Sequence, residues 1–174
     1  MKHIYKCTEK HVGNLFDLYE LQSRIISTSF EQCNDEIVNI IVHGCNAQGR
    51  MGSGFAKELR SRFPGAYAEY ENVHNSTGLQ LGSNVYYMDD EANVIICNSI
   101  TQERYGYDGK KYVSYDGIDQ CMEKLNDFAL AIGNNVHIHF PTIGADLGGG
   151  NWNVINAIIE SRITDAHKHL YTLK

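Results

Sequence analysis

Ile40-Ile41-Val42-His43-Gly44-Cys45-Asn46-Ala47-Gln48-Gly49-Arg50-Met51-Gly52-Ser53-Gly54-Phe55-Ala56-Lys57 is an apolar run that ends in a glycine-rich polar segment and then turns amphipathic. Val38, Ile40, Ile41 and Val42 are β-branched with no charge between them, the signature of a strand buried on both faces of a parallel sheet. Gly44, Gly49, Gly52 and Gly54 allow positive φ and close approach of a ligand to main-chain N–H groups. Leu59 and Phe63 then recur at helical spacing among Lys57, Glu58, Arg60 and Arg62, so Ser53 or Gly54 lies near a helix N-terminus. Unpaired N–H groups and the positive dipole end favour an anion there. The segment reads as strand, phosphate cradle and helix.

Two familiar phosphate loops are excluded. There is no G-x-x-x-x-G-K-[ST], and no strict G-x-G-x-x-G followed by an acidic residue about 20 positions later. A second loop lies far along the chain. Val136-His137-Ile138-His139-Phe140 alternates like a strand, and Pro141-Thr142-Ile143-Gly144-Ala145-Asp146-Leu147-Gly148-Gly149-Gly150-Asn151-Trp152 leads into another amphipathic helix. Two such loops at the carboxyl ends of strands in one α/β domain would face each other across a crevice, where open α/β sheets bind ligands.

These residues resemble the macro domain family. The resemblance is carried by His43-Gly44-Cys45-Asn46 with Gly49, Met51, Gly52 and Gly54, and by Pro141, Ile143-Gly144-Ala145, Leu147 to Gly150 and Trp152. Thr101-Gln102, Tyr105-Gly106 and Tyr112-Val113-Ser114-Tyr115 are similar to the connecting segment of the branch that includes ADP-ribose 1''-phosphate phosphatases. It runs from about residue 37 to the C-terminus, and residues 1–36 match poorly. The resemblance implies one domain over residues 1–174, a three-layer α/β/α fold with a mixed central sheet, and a ligand of the ADP-ribose type. Such domains carry a Gly-Asp before the first helix that contacts adenine; Gly13-Asn14 is the nearest match here.

The rest of the chain sets bounds. A length of 174 residues suits one domain with its own core. A net charge of −6 argues against a polyanion-binding face, so nucleic acid is expected only as an ADP-ribosylated substrate. A small phosphate ligand stays compatible, because such sites are built from backbone N–H groups. No apolar run approaches the ~18 residues of a membrane helix, and Met1-Lys2-His3 opens no signal-peptide core. A cytoplasmic monomer is expected. Cys7, Cys33, Cys45, Cys97 and Cys121 form no C-x-x-C, and Cys45, Cys97 and Cys121 read as buried structural thiols. Most of the eight His residues are expected on the surface. His137 and His139 alternate on a strand, but no carboxylate or Cys sits at ligand spacing, so neither metal nor cofactor is expected.

Taken in order, His3-Ile4-Tyr5 reads as the start of an edge strand, Leu15 to Leu21 as a short helix and Glu31 to Glu36 as a loop. Pro64-Gly65 ends the first long helix, with a polar connection from Tyr67. Asn84 to Met88 and Asn93 to Cys97 flank a hairpin turn. A helix from Tyr115 ends at Gly133, and His169 to Leu173 forms a final strand.

Three residues are candidates for the chemistry. Asn46 either hydrogen-bonds its own loop or orients the distal ribose, the role the resemblance implies. His43 is either a core histidine or the group that moves a proton near neutral pH. Asp146 stands where the family usually has glycine; it either faces solvent or positions and deprotonates the attacking water. Ligand contacts are expected from Gly44, Gly49, Met51, Gly52, Ser53, Gly54 and Phe55, from Ile143, Gly144, Ala145, Leu147, Gly148, Gly149 and Gly150, and from stacking on Tyr105 or Tyr171. Trp152 packs its helix onto the sheet or walls the ribose. The expected activity is hydrolysis of the terminal phosphate of ADP-ribose 1''-phosphate. The alternatives are an ADP-ribosyl glycohydrolase, a non-catalytic ADP-ribose reader, and a scaffold for another nucleotide. The related hydrolase branch uses a Lys in the middle segment and an Asp in the second loop; residues 99–104 hold no Lys, and Gly148 stands in place of that Asp.

Overall fold

The strand that opens the first glycine loop, β2 (Val38–Asn46), lies inside a six-stranded sheet of order β1-β6-β5-β2-β4-β3. Its companions are β1 (Thr8–Val12), β3 (Asn84–Asp89), β4 (Val94–Gln102), β5 (Val136–Phe140) and β6 (His167–Thr172). Neighbours pair in parallel except β3 with β4, so the sheet is mixed. The computed structural model describes residues 7–20, 36–133 and 135–173. His3-Ile4-Tyr5, Leu21, Cys33 and the loop at 31–35 lie outside the described residues; among the described residues the edge strands are β1 and β3.

Alternation along the strands builds the layers. Ile40, Val42, Ile138 and Phe140 pack with Ile118, Met122 and Leu125 of α3 (Tyr115–Ile132) and Ile155 and Ile159 of α4 (Trp152–Arg162). Ile41, Ile96 and Tyr171 point the other way, onto Leu59 of α1 (Gly54–Arg62), Ala66 of α2 (Pro64–Ser76) and Leu15, Phe16 and Tyr19 of a helical stretch at 15–20. The result is the expected three-layer α/β/α arrangement. Each face contributes many side chains near zero exposure, and each fully buried large apolar side chain adds about 1.5–3 kcal/mol.

Two boundaries differ from expectation. Pro64 does end α1, but it also starts α2: its fixed φ and missing N–H suit a first helical turn. The last strand begins at His167, because its His residues point to an interior face and pair with β5. Elsewhere Ser114 caps α3 by accepting from the Gly117 N–H at 3.0 Å, and Gly133 ends it at φ +118°. Among the described residues no helix is long and apolar enough to cross a membrane.

Candidate functional site

Chain direction brings the site together. From β2 the chain runs through α1 and α2 to β3 and β4 on one side, and from β4 it crosses through α3 to β5 on the other. The carboxyl ends of β4, β2 and β5 therefore flank a topological switch point. There the structure has a crevice of about 300 Å³ walled by both glycine loops and the segment after β4, at the lower end of ligand-pocket size, about 300–1,000 Å³.

Asn46 shapes the first loop. Its Oδ1 accepts from the Gln48 N–H at 3.0 Å and the Tyr70 hydroxyl at 3.1 Å, and its Nδ2 donates to the Arg50 carbonyl at 2.8 Å. Thus its loop-holding reading is observed, while one Nδ2 hydrogen remains for the crevice it lines. Beyond Arg50, Met51 is buried, and Ser53 is the N-cap of α1 without a side-chain cap bond. The first turn of α1 holds no acidic residue. Gly54, Phe55 and Ala56, whose N–H groups in this first turn have no intrahelical acceptor, form part of the crevice wall.

The second loop is closed by its own backbone. Gly150 N–H donates to the Gly144 carbonyl at 2.8 Å, and the Gly148 carbonyl accepts from the Tyr112 and Val113 N–H groups at 2.8 and 3.0 Å. The N–H groups of Asp146, Leu147 and Gly148 are not among the donors that close it. Asp146 is exposed on the crevice, its Oδ2 accepting from the Thr142 hydroxyl at 3.3 Å. A nest of amides with one carboxylate beside it can hold an anion and move a proton.

His43 forms part of the crevice floor but is itself almost fully buried. It is 1% exposed, and its Nε2 lies 2.7 Å from the Asn98 Oδ1, whose Nδ2 donates to the Ala66 carbonyl. That chain assigns the proton to Nε2 and ties β2 through β4 to α2. Burial pushes the imidazole down to about 4 against the pull of Asn98, so it is neutral at pH 7. Cys45, Cys97 and Cys121 are buried as expected, and burial raises their thiols.

No family model matches the chain. An uncharacterized 17.5 kDa protein of Enterobacteria phage T4, from the tk-vs intergenic region, is 34% identical over 125 residues, which is 70% of this chain and 77% of the phage protein. The ADP-ribose 1''-phosphate phosphatase of Candida albicans is 23% identical over 138 residues, 77% of this chain and 87% of that enzyme. A macrodomain protein from Streptomyces coelicolor superposes with a TM-score of 0.64 at 26% identity, over 79% of this chain and 90% of the other. The chain belongs to the macro domain family.

This macro domain gathers most of the residues expected at its site and leaves several out. His43, Gly44, Asn46, Met51, Gly52, Ser53, Gly54, Phe55, Tyr105, Ile143, Gly144, Asp146, Leu147 and Gly148 line the crevice. Gly49, Ala145, Gly149 and Gly150 do not. Gly49 turns the loop at φ +71°, and a Cβ on Gly150 would meet Val113 Cγ1 at 2.6 Å and the Gly144 carbonyl at 2.8 Å, so that glycine serves close packing. Tyr171 is a correction as well: it is buried, with its hydroxyl 2.7 Å from His139 Nδ1, because its place on β6 faces the helices. Asn14 caps the 15–20 helix by accepting from Phe16 N–H at 2.9 Å, and its Nδ2 reaches Glu58, so its amide is committed away from a ligand. Trp152 packs against the α3–α4 core.

The structure adds Arg50, Thr101, Gln102, Tyr107 and Thr142 to the walls. Neither Arg50, in the first loop, nor Thr101, in the segment that carries the resemblance, was expected to contact the ligand. The Thr101 hydroxyl is buried on the crevice side without a partner among the described residues, 2.8 Å from where a Cβ on Gly44 would sit. The His expectation is also corrected. His43, His137, His139 and His169 are buried, because β2, β5 and β6 point imidazoles onto one inner face. The Glu9 carboxylate, distant in sequence, lies 3.4 Å from His169 Nδ1.

Proposed function

We propose that the crevice binds ADP-ribose and that the chain hydrolyses ADP-ribose 1''-phosphate to ADP-ribose and inorganic phosphate. The observation that carries this reading is the pairing of free amides from both loops with one exposed carboxylate, Asp146, at the same crevice. The α1 N-terminus and the Asp146 to Gly148 amides hold phosphate oxygens, Arg50 adds a mobile cation at the mouth, and Asn46 uses its remaining N–H on a ribose hydroxyl. Water attacks the terminal phosphorus, Asp146 takes its proton, and the sugar oxygen leaves with the bonding pair and a proton from solvent. Amides aimed at the phosphoryl oxygens stabilise the charge that develops there. The similarity to the ADP-ribose 1''-phosphate phosphatase of Candida albicans supports the choice of substrate. Among the described residues no lysine lines the crevice, which speaks against a lysine-adduct glycohydrolase.

The test is phosphate release from ADP-ribose 1''-phosphate, with ADP-ribose binding by calorimetry on the same sample. Asp146→Asn is expected to lower kcat on the order of 100-fold or more while leaving ADP-ribose affinity nearly unchanged. His43→Gln keeps the hydrogen bond to Asn98 and is expected to turn over close to wild type. A folded His43→Gln protein without turnover, beside a normal Asp146→Asn, would reverse the assignment. Binding without any release moves the reading to a glycohydrolase or a reader.

A further inference from the structure

Outside the crevice, the sheet face toward α1 and α2 carries a band of imidazoles. His137 on β5 stacks on His167 of β6 at 4.2 Å, and His139 stacks on His169 at 4.7 Å, each pair within 12° of parallel. Parallel pairing places Glu9 of β1 beside His169 and His11 beside Tyr171, so β1 adds a carboxylate and a further imidazole at the outer end of the band. There three ligand atoms from two strands converge. His11 Nε2 lies 3.2 Å from His169 Nδ1, and the Glu9 Oε2 lies 3.4 Å from His169 Nδ1 and 4.0 Å from His11 Nε2. A tetrahedral zinc with bonds of about 2.0–2.1 Å requires ligand atoms about 3.3 Å apart.

We propose that Glu9, His11 and His169 form a site for a divalent transition-metal ion of the zinc type, which joins the edge strand β1 to β6. The surroundings suit that ligand set. His169 Nε2 lies 2.9 Å from His137 Nδ1, so with the metal on Nδ1 the Nε2 proton donates to His137, the outer-shell hydrogen bond that fixes a metal-bound imidazole. His11 is largely buried and His169 is 2% exposed, whereas Glu9 is 64% exposed, so the ion enters from solvent past Glu9. A fourth position on that side is left for water. None of the three residues lines the crevice, and the role assigned to the ion is to clasp an edge strand that has one neighbour in the sheet among the described residues.

The experiment uses the chain freed of any polyhistidine tag and stripped with a chelator. Zn²⁺ binding is measured by calorimetry, Co²⁺ by its ligand-field absorption, and Tm with and without Zn²⁺. Wild type is expected to bind one Zn²⁺ in the micromolar range or tighter, to give the intense visible bands of tetrahedral Co²⁺, and to melt higher with the metal. Glu9→Gln, at an exposed position that leaves the metal-free Tm unchanged, and His11→Gln are each expected to weaken binding at least ~10-fold and to abolish the Tm gain. Absence of binding to wild type, or unchanged binding in both variants, overturns the site.

Discussion

Asn46 and Tyr70 show how single side chains set the crevice. Tyr70 is fully buried and donates to the Asn46 carbonyl at 2.5 Å and to its Oδ1 at 3.1 Å, so the loop is pinned from beneath. Tyr70→Phe leaves that carbonyl without its buried donor and is expected to cost about 1–3 kcal/mol of stability in denaturant unfolding. Because Tyr70 does not line the crevice, ADP-ribose affinity should fall by less than in Asn46→Ala, which removes both the loop bonds and the proposed ribose contact. At this scale the sequence was informative where a residue type has one use. Gly52, Ser53 and Gly54 announced a helix N-terminus open to an anion, and α1 starts there. It was silent where the use depends on a distant partner. His43 stood open between core and catalysis, and the partner that bears on the choice, Asn98, lies on another strand. The place of Tyr171 depended on which face of β6 met the helices.

Among elements, α1 and the second loop carry opposite halves of the proposed phosphate site. The end of α1 lacks both a side-chain cap and an acidic first turn, a deficit in the free protein that an anion would fill. Ser53→Asp puts a carboxylate at that dipole end. The expected outcome is a Tm equal to or above wild type, since such a charge contributes about 0.3–1 kcal/mol, together with at least ~10-fold weaker ADP-ribose binding by calorimetry, since the charge faces the ligand. ADP-ribose binding unchanged from wild type would mean that the helix start is not the anion seat. Strands with continuous apolar runs, β2 and β4, were readable because burial on both faces leaves no alternation to confuse. Strand β1, Thr8-Glu9-Lys10-His11-Val12, was not, because an edge strand of polar residues has no hydrophobic period and forms by pairing with β6.

Over the whole molecule, neutral imidazoles are sealed into one face of the sheet. Burial holds His43 at about 4 and His137 at about 3, and His139 lies well below its ordinary 6.5. His43 faces Asn98, Cys45 and Phe55; His139 faces Tyr171, Asn39, Tyr19 and His169; His137 faces His167 and His169. Below pH 6.5 the unfolded chain takes up protons that these folded groups refuse, so the stability they give is full above 6.5 and is lost as pH falls toward their folded values. Each group costs about 1.4 kcal/mol per pH unit across that window. With chelator present, Tm is expected to drop steeply between pH 7 and pH 5, and a flat profile would contradict the sealed band. The three-layer architecture was legible because two strand-loop-helix units define a sheet with helices on it; the imidazole face was not, since it requires three strands in register. The single tryptophan, Trp152, follows the second loop directly and packs at the start of α4 against the core. The chain therefore carries its own optical probe beside the second loop of the crevice, and emission from one indole can follow that loop in solution without any label.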